Sequence, residues 1–193
     1  MKVVIIKYNA GNILSVNLAL QRLGIHADIT HEKEKILQAD KVIFPGVGEA
    51  SSAMAYLKNK KIDKVLTSLK QPFLGICLGL QLLCQFSEEN NTQCLSIFDE
   101  TVKRFPPSDK VPHMGWNSIE FDENNLFKGL DPGCYVYFVH SYYASVGKNT
   151  IAGTKYILPF SSALQKDNFY AVQFHPEKSS KVGEQILKNF LAL

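Results

Sequence analysis

Phe73-Leu74-Gly75-Ile76-Cys77-Leu78-Gly79-Leu80-Gln81 decides how the rest of this chain is read. Residues 73–76 have the length and apolarity of a buried strand, and residues 78–86 those of a helix following it. Cys77 falls at the turn between them, with Gly75 and Gly79 two residues away on either side. That G-x-C-x-G spacing is the pattern of a nucleophile elbow with a thiol in place of the hydroxyl. The turn is tight, and only small flanking residues let strand and helix approach closely. It lifts the side chain to the carboxyl edge of the sheet, where open α/β sheets bind ligands. The helix then points its N-terminus at the sulfur, which favours thiolate. The plain alternative is a core cysteine beside a turn. Cys84, Cys94 and Cys134 have no such flanks and read as ordinary cysteines.

Working outward, short apolar runs alternate with helix-period segments through the first half. Residues 2–7 read as a strand, 12–23 as a helix ended by Gly24, and 27–30 and 41–44 as further strands. Residues 51–58 and 61–69 read as helices. Such alternation predicts a parallel sheet covered on both faces. The second half differs. Short β-like runs at 94–98, 117–121, 135–139 and 151–157, separated by Pro, Gly and Asn, predict antiparallel or mixed strands. Residues 169–174 return as an apolar strand, and 181–192 close the chain as an amphipathic helix. With no repeat, low-complexity tract or linker, residues 1–193 are expected to form one domain.

A cysteine nucleophile needs a general base, and the base needs an orienting group. Gln173-Phe174-His175-Pro176-Glu177 supplies both within three residues. The residue before a proline is pushed towards extended geometry, and side chains two apart in an extended segment share a side. Glu177 is therefore expected to reach the His175 imidazole. His140 follows the run at 135–139 with no carboxylate near it in sequence, and His113 falls in a loop after Pro112. His26 and His31 flank an early strand. All four are weaker candidates for the base. Amide hydrolysis also passes through an oxyanion that needs backbone donors. One is the N–H of Leu78, the residue after the nucleophile. A second is sought in Pro45-Gly46-Val47-Gly48, whose glycines let the peptide around Val47 turn an N–H inwards. Taken alone, that tetrapeptide reads more simply as a turn into a helix.

Bulk properties set limits on the alternatives. The chain carries 21 Lys and Arg against 18 Asp and Glu, a formal charge of +3 that is too small and scattered for nucleic-acid binding. The densest basic stretch, residues 58–64, is interrupted by Ile62 and Asp63 and reads as a solvated helix face. Met1 leads straight into Val3-Val4-Ile5-Ile6, with no apolar signal region. No apolar run approaches the roughly 18 residues of a membrane span. The cysteines form no C-x-x-C pair and have no histidine at zinc-ligand spacing. A cytoplasmic chain with reduced thiols, no metal and no cofactor is expected.

Together these residues resemble the class I (triad) glutamine amidotransferases, whose two signatures are matched by GICLGLQ at 75–81 and FHPE at 174–177. Four runs narrow the resemblance to the glutaminase subunits of histidine biosynthesis. They are Pro45-Gly46-Val47-Gly48, Pro112-His113-Met114-Gly115-Trp116-Asn117, Phe138-Val139-His140-Ser141-Tyr142 and His175-Pro176-Glu177-Lys178-Ser179, which span nearly the whole chain in the family's order. The resemblance implies an α/β fold with an open, mostly parallel sheet, helices on both faces and additional antiparallel strands in the second half. It implies a Cys77–His175–Glu177 triad that hydrolyses glutamine, with Val47, Gly48 and Leu78 at the oxyanion hole. Gln81, His140, Ser141 and Tyr142 would line the substrate pocket. It also implies a heterodimer, with Asn12, Trp116, Asn117, Tyr137 and Lys178 facing a separate (β/α)₈ cyclase subunit that takes the ammonia. For Trp116 and Tyr137 ordinary core packing is the alternative. One stretch departs from the family, which often carries an acidic residue and a glycine where this chain reads Lys7-Tyr8-Asn9-Ala10-Gly11-Asn12. The rivals are another glutaminase of the class, a γ-glutamyl peptidase acting alone, and a non-catalytic scaffold. The PHMGWN and FVHSYY runs speak against the first and the intact triad against the last, while a substrate panel would separate the second.

Overall fold

Strands β1 (Val3–Ile6), β3 (Lys41–Gly46) and β4 (Phe73–Cys77) are buried along their whole length, because side chains on both faces of the sheet meet a helical layer. The computed structural model describes residues 1–8 and 12–193. Asn9, Ala10 and Gly11, within the stretch that departs from the family pattern, lie outside the described residues. On one face Val4, Ile6, Val42, Phe44 and Phe73 pack against α3 (Ala50–Asn59), α4 (Asp63–Ser68) and α5 (Leu78–Leu83) through Leu57, Leu66 and Leu83. On the other, Val3, Ile5, Ile43, Leu74 and Ile76 pack against α1 (Ile13–Arg22) and α6 (Ser180–Ala192) through Leu20, Ile186 and Phe190. Alternate residues of each strand thus belong to opposite cores, as the period of a pleated strand requires.

With β2 (Ala27–Thr30) and β13 (Phe169–Val172), these strands form a parallel array in the order β2-β1-β3-β4-β13. Beyond β13 the sheet turns antiparallel through β12 (Leu158–Lys166), β10 (Tyr142–Ala144) and β7 (Thr101–Arg104), and ends in the short β5 (Phe86–Ser87) and β6 (Thr92–Gln93). A branch leaves β12 through β11 (Thr150–Tyr156) to β8 (His113–Phe121) and β9 (Cys134–His140), all antiparallel. Among the described residues no helix is long and apolar enough to cross a membrane.

Two expectations fail here. Residues 94–98 are not a strand, and the helix after Cys77 stops at Leu83 rather than continuing to residue 86. The two departures share one cause. The N–H groups of Leu95, Ser96, Ile97 and Phe98 donate to the carbonyls of Leu82, Cys84 and Leu83, satisfying the groups that the end of α5 leaves free. The short helix α2 (Lys33–Leu37) and strands β7, β10 and β12 were not anticipated. β12 mixes serines and a proline with apolar residues and carries no clean period-2 signal; it is buried by strand neighbours on both sides.

Candidate active site

Three adjacent parallel strands deliver the chemistry to one edge. Pairing between β3 and β4 sets Gly46 opposite Cys77, and pairing between β13 and β4 sets Val172 opposite Ile76. His175 therefore emerges just beyond the same rim on which Cys77 stands. Cys77 has φ +54° and ψ −107°, a backbone conformation that costs about 1–3 kcal/mol and persists only where its surroundings enforce it. Here the enforcement is close packing. A Cβ at Gly79 would overlap the Phe44 carbonyl, and one at Gly75 would meet the Leu83 side chain. Leu78, the first residue of α5, has an N–H without an intrahelical partner.

His175 is extended, at φ −101° and ψ 96°, but Pro176–Lys178 forms one 3₁₀ turn. The expected contact forms by a different route: Glu177 reaches back through that turn and not along a strand. His175 Nδ1 lies 2.8 Å from Glu177 Oε1, with both side chains fully buried. Asn12 Nδ2 donates to the same Oε1 at 2.5 Å. Burial pushes the imidazolium down, but the charges of Cys77 and then Glu177 outweigh it and raise His175 to about 10. With Nδ1 engaged by Glu177, Nε2 is buried and has no hydrogen-bond partner among the described residues. It is free to carry a proton.

The sulfur opens on a cavity of about 340 Å³, lined by Val47, Gly48, Leu78, Gln81, His140, Ser141 and Tyr142 together with Cys77. All the residues expected at the oxyanion hole and around the substrate thus share one wall system. Glu89, Pro112 and Val139 complete it; Pro112 and Val139 fall in runs that carry the family resemblance, whereas no sequence signal singled out Glu89. Glu89 is half-buried; burial raises its carboxyl, while the Ala50 N–H, donating at 2.7 Å, opposes the rise. Behind the wall runs a chain of hydrogen bonds. His140 Nδ1 meets the Tyr142 carbonyl at 2.7 Å, which can only accept, so Nδ1 carries the hydrogen. His140 Nε2 must then accept from His113 Nδ1 at 3.0 Å, and His113 Nε2 from Asn117 Nδ2 at 3.3 Å. Burial holds both rings neutral, lowering His113 to about 4 and His140 to about 3. His113 was expected in a loop; it is the first residue of β8, paired with His140.

Residues 6–193 match the glutamine amidotransferase class-I family. The chain belongs to that family. It is 61% identical, over all of both chains, to the imidazole glycerol phosphate synthase subunit HisH of Bacteroides fragilis strain YCH46. It is 58% identical, again end to end, to the HisH subunit of Bacteroides thetaiotaomicron. A crystal structure of a glutamine amidotransferase superposes with a TM-score of 0.77 at 20% identity, covering 98% of this chain and 97% of the other.

The amidotransferase's remaining candidate residues divide in two. Trp116, Tyr137 and Lys178 cluster on the outer face of β8 and β9. The two rings are edge-on at 6.0 Å and Lys178 Nζ lies 6.0 Å from the Tyr137 ring centre. Trp116 is 52% exposed and Met114 beside it 61%, so core packing does not account for Trp116. Asn12, expected with them at a partner face, is 5% exposed and turned onto the triad. Asn117 is tied to His113 and to the Lys155 carbonyl.

Proposed function

We propose that this amidotransferase is the glutaminase subunit of imidazole glycerol phosphate synthase, one domain spanning residues 1–193, working in the cytoplasm as a heterodimer with a (β/α)₈ cyclase subunit. It hydrolyses glutamine to glutamate and ammonia for histidine biosynthesis. The cyclase uses the ammonia to convert PRFAR to imidazole glycerol phosphate and AICAR. The observation that carries the reading is a Cys77 sulfur opening on a cavity of about 340 Å³ with the Glu177-bound His175 as its neighbour.

Cys77 Sγ attacks the γ-carbonyl carbon of glutamine, while the N–H groups of Leu78 and the Val47 peptide hold the oxyanion. His175 Nε2 gives its proton to the departing ammonia, then takes one from the water that hydrolyses the γ-glutamyl thioester. Glu177, steadied by Asn12, keeps the ring in the required tautomer. Glu89 supplies a carboxylate to the cavity wall where the α-ammonium of glutamine needs one. A handover of ammonia is supported by the position of the triad. The backbone N–H of His175 donates to the Tyr137 carbonyl at 2.9 Å, so the segment that carries the catalytic imidazole is bonded directly to the strand that carries Tyr137 of the cluster.

Replacing Cys77 by alanine should abolish glutamine hydrolysis; a variant that still turns over glutamine at the wild-type rate would end the assignment. Co-purification with a cyclase subunit, and glutaminase assays with and without PRFAR, test the coupling. The isolated chain should be slow. Full-rate hydrolysis without partner or PRFAR would contradict it.

A further inference from the structure

Gln173, fully buried just beyond β13, places its side-chain amide between two residues of the site. Its Nε2 lies 3.6 Å from Cys77 Sγ and its Oε1 3.1 Å from Gln81 Nε2. Which end of the amide faces the sulfur is fixed from outside. The Tyr142 carbonyl can only accept, and Gln81 Nε2 lies 2.9 Å from it, so Gln81 must turn its NH₂ that way. The second hydrogen of that NH₂ runs to Gln173, whose oxygen must therefore face Gln81. Its N–H donors are left facing the sulfur. His140, donating to the same Tyr142 carbonyl, holds the origin of the chain in place.

We propose that Gln173 is a further catalytic residue of the glutaminase, a neutral donor that stabilises the Cys77 sulfur whenever it carries negative charge. The proposal rests on the reading of Cys77 as the nucleophile. Among the described residues His175, the buried Tyr8 hydroxyl and the Val139 carbonyl, 3.9 Å away, also neighbour the sulfur. Hydrogen bonds to an anion are roughly twice as strong as those to a neutral acceptor, so the bond from Gln173 changes strength along the reaction. In acylation the sulfur's electron pair forms the S–C bond, ammonia leaves with the proton from His175, and the sulfur becomes the weak acceptor of a thioester. In deacylation water adds to the thioester carbon and gives its proton to His175. The C–S bond then breaks with its electron pair on sulfur, and the Gln173 N–H meets that charge as it develops. Glutamate departs and the starting state is restored.

Gln173→Met keeps the side-chain length and removes the donor. In the complex with its cyclase subunit, kcat for glutamine hydrolysis should fall about tenfold, the scale of one hydrogen bond to a charged group. Quenched samples should carry γ-glutamyl thioester on Cys77, and KM should fall with kcat as the acyl-enzyme accumulates. A folded variant with wild-type kcat, or with a lower kcat and no accumulated thioester, overturns the proposal. If the variant does not fold, the native chain carries the test. The Gln173 side-chain NH₂ resonances should move upfield when Cys77 is alkylated, and further than those of Gln81; unmoved resonances also overturn it. Failure of diazo-oxo-norleucine to label Cys77 in the wild type would instead remove the nucleophile reading beneath it.

Discussion

Burial alone would push the His175 imidazolium down; the charge interactions with Cys77 and Glu177 outweigh it and raise the ring to about 10. The ring therefore stands ready as an acid for the leaving ammonia. Glu177 supplies one of those charges and also the acceptor that fixes Nδ1, and both effects depend on its carboxylate. Glu177→Gln should lower the glutaminase kcat by at least about tenfold, since orienting carboxylates of triads contribute on that scale or above. The His175 ring should also lose its proton at lower pH than in the wild type. Turnover assays and an NMR titration of the ring check the two halves. An unchanged titration would mean that Glu177 acts by geometry alone. Asn12 belongs to the same constellation, because its amide is the second donor on Glu177 Oε1.

At the scale of elements, the β8–β9 ribbon joins the outer surface to the cavity at Cys77 through two neutral histidines. The unfolded chain protonates both near about pH 6.5, while the folded chain keeps them neutral to about 4 and 3. Between those values the unfolded state binds more protons, so stability rises with pH and is lost as pH falls below about 6.5. Each ring contributes a slope of up to about 1.4 kcal/mol per pH unit within its window. His113→Gln should flatten the fall in Tm between about pH 6.5 and pH 4 relative to the wild type. Identical slopes for the two proteins would contradict this assignment of the acid limb. The elbow is held by packing of the same exacting kind, with α5 seated against β3 and β4 at Gly75 and Gly79, where no side chain fits.

At the scale of the whole molecule, the exposed Trp116 and Met114 on β8 are unexplained by the chain's own packing, and β9 beside them is bonded through the Tyr137 carbonyl to the backbone of His175. Buried aromatic anchors dominate interface energetics, commonly at about 2 kcal/mol or more when truncated. Trp116→Ala should therefore weaken association with the cyclase subunit about thirtyfold, the equivalent of that energy. It should leave the Tm of the isolated chain nearly unchanged. Calorimetric titration of the two subunits, with thermal unfolding of the chain alone, separates these outcomes. Undiminished affinity would place the partner face elsewhere.

The sequence alone determined the parallel half of the sheet, because strands buried on both faces must be continuously apolar and their crossover helices must carry a helical period. It also determined the elbow, since Gly75 and Gly79 leave few other ways to turn at Cys77, and the pairing of His175 with Glu177, since the two residues are nearly adjacent. Strand register decided the rest. Gln173 meets the sulfur across 96 positions, and Asn12 meets Glu177 across 165. Neither contact has a local signal, because the first exists only once β13 has paired with β4 and the second only once β1, β3, β4 and β13 stand side by side. Glu89 and the His113–His140 pair stayed hidden for the same reason: a side chain's role is set by what faces it, and sheet pairing brings together residues that the chain keeps apart.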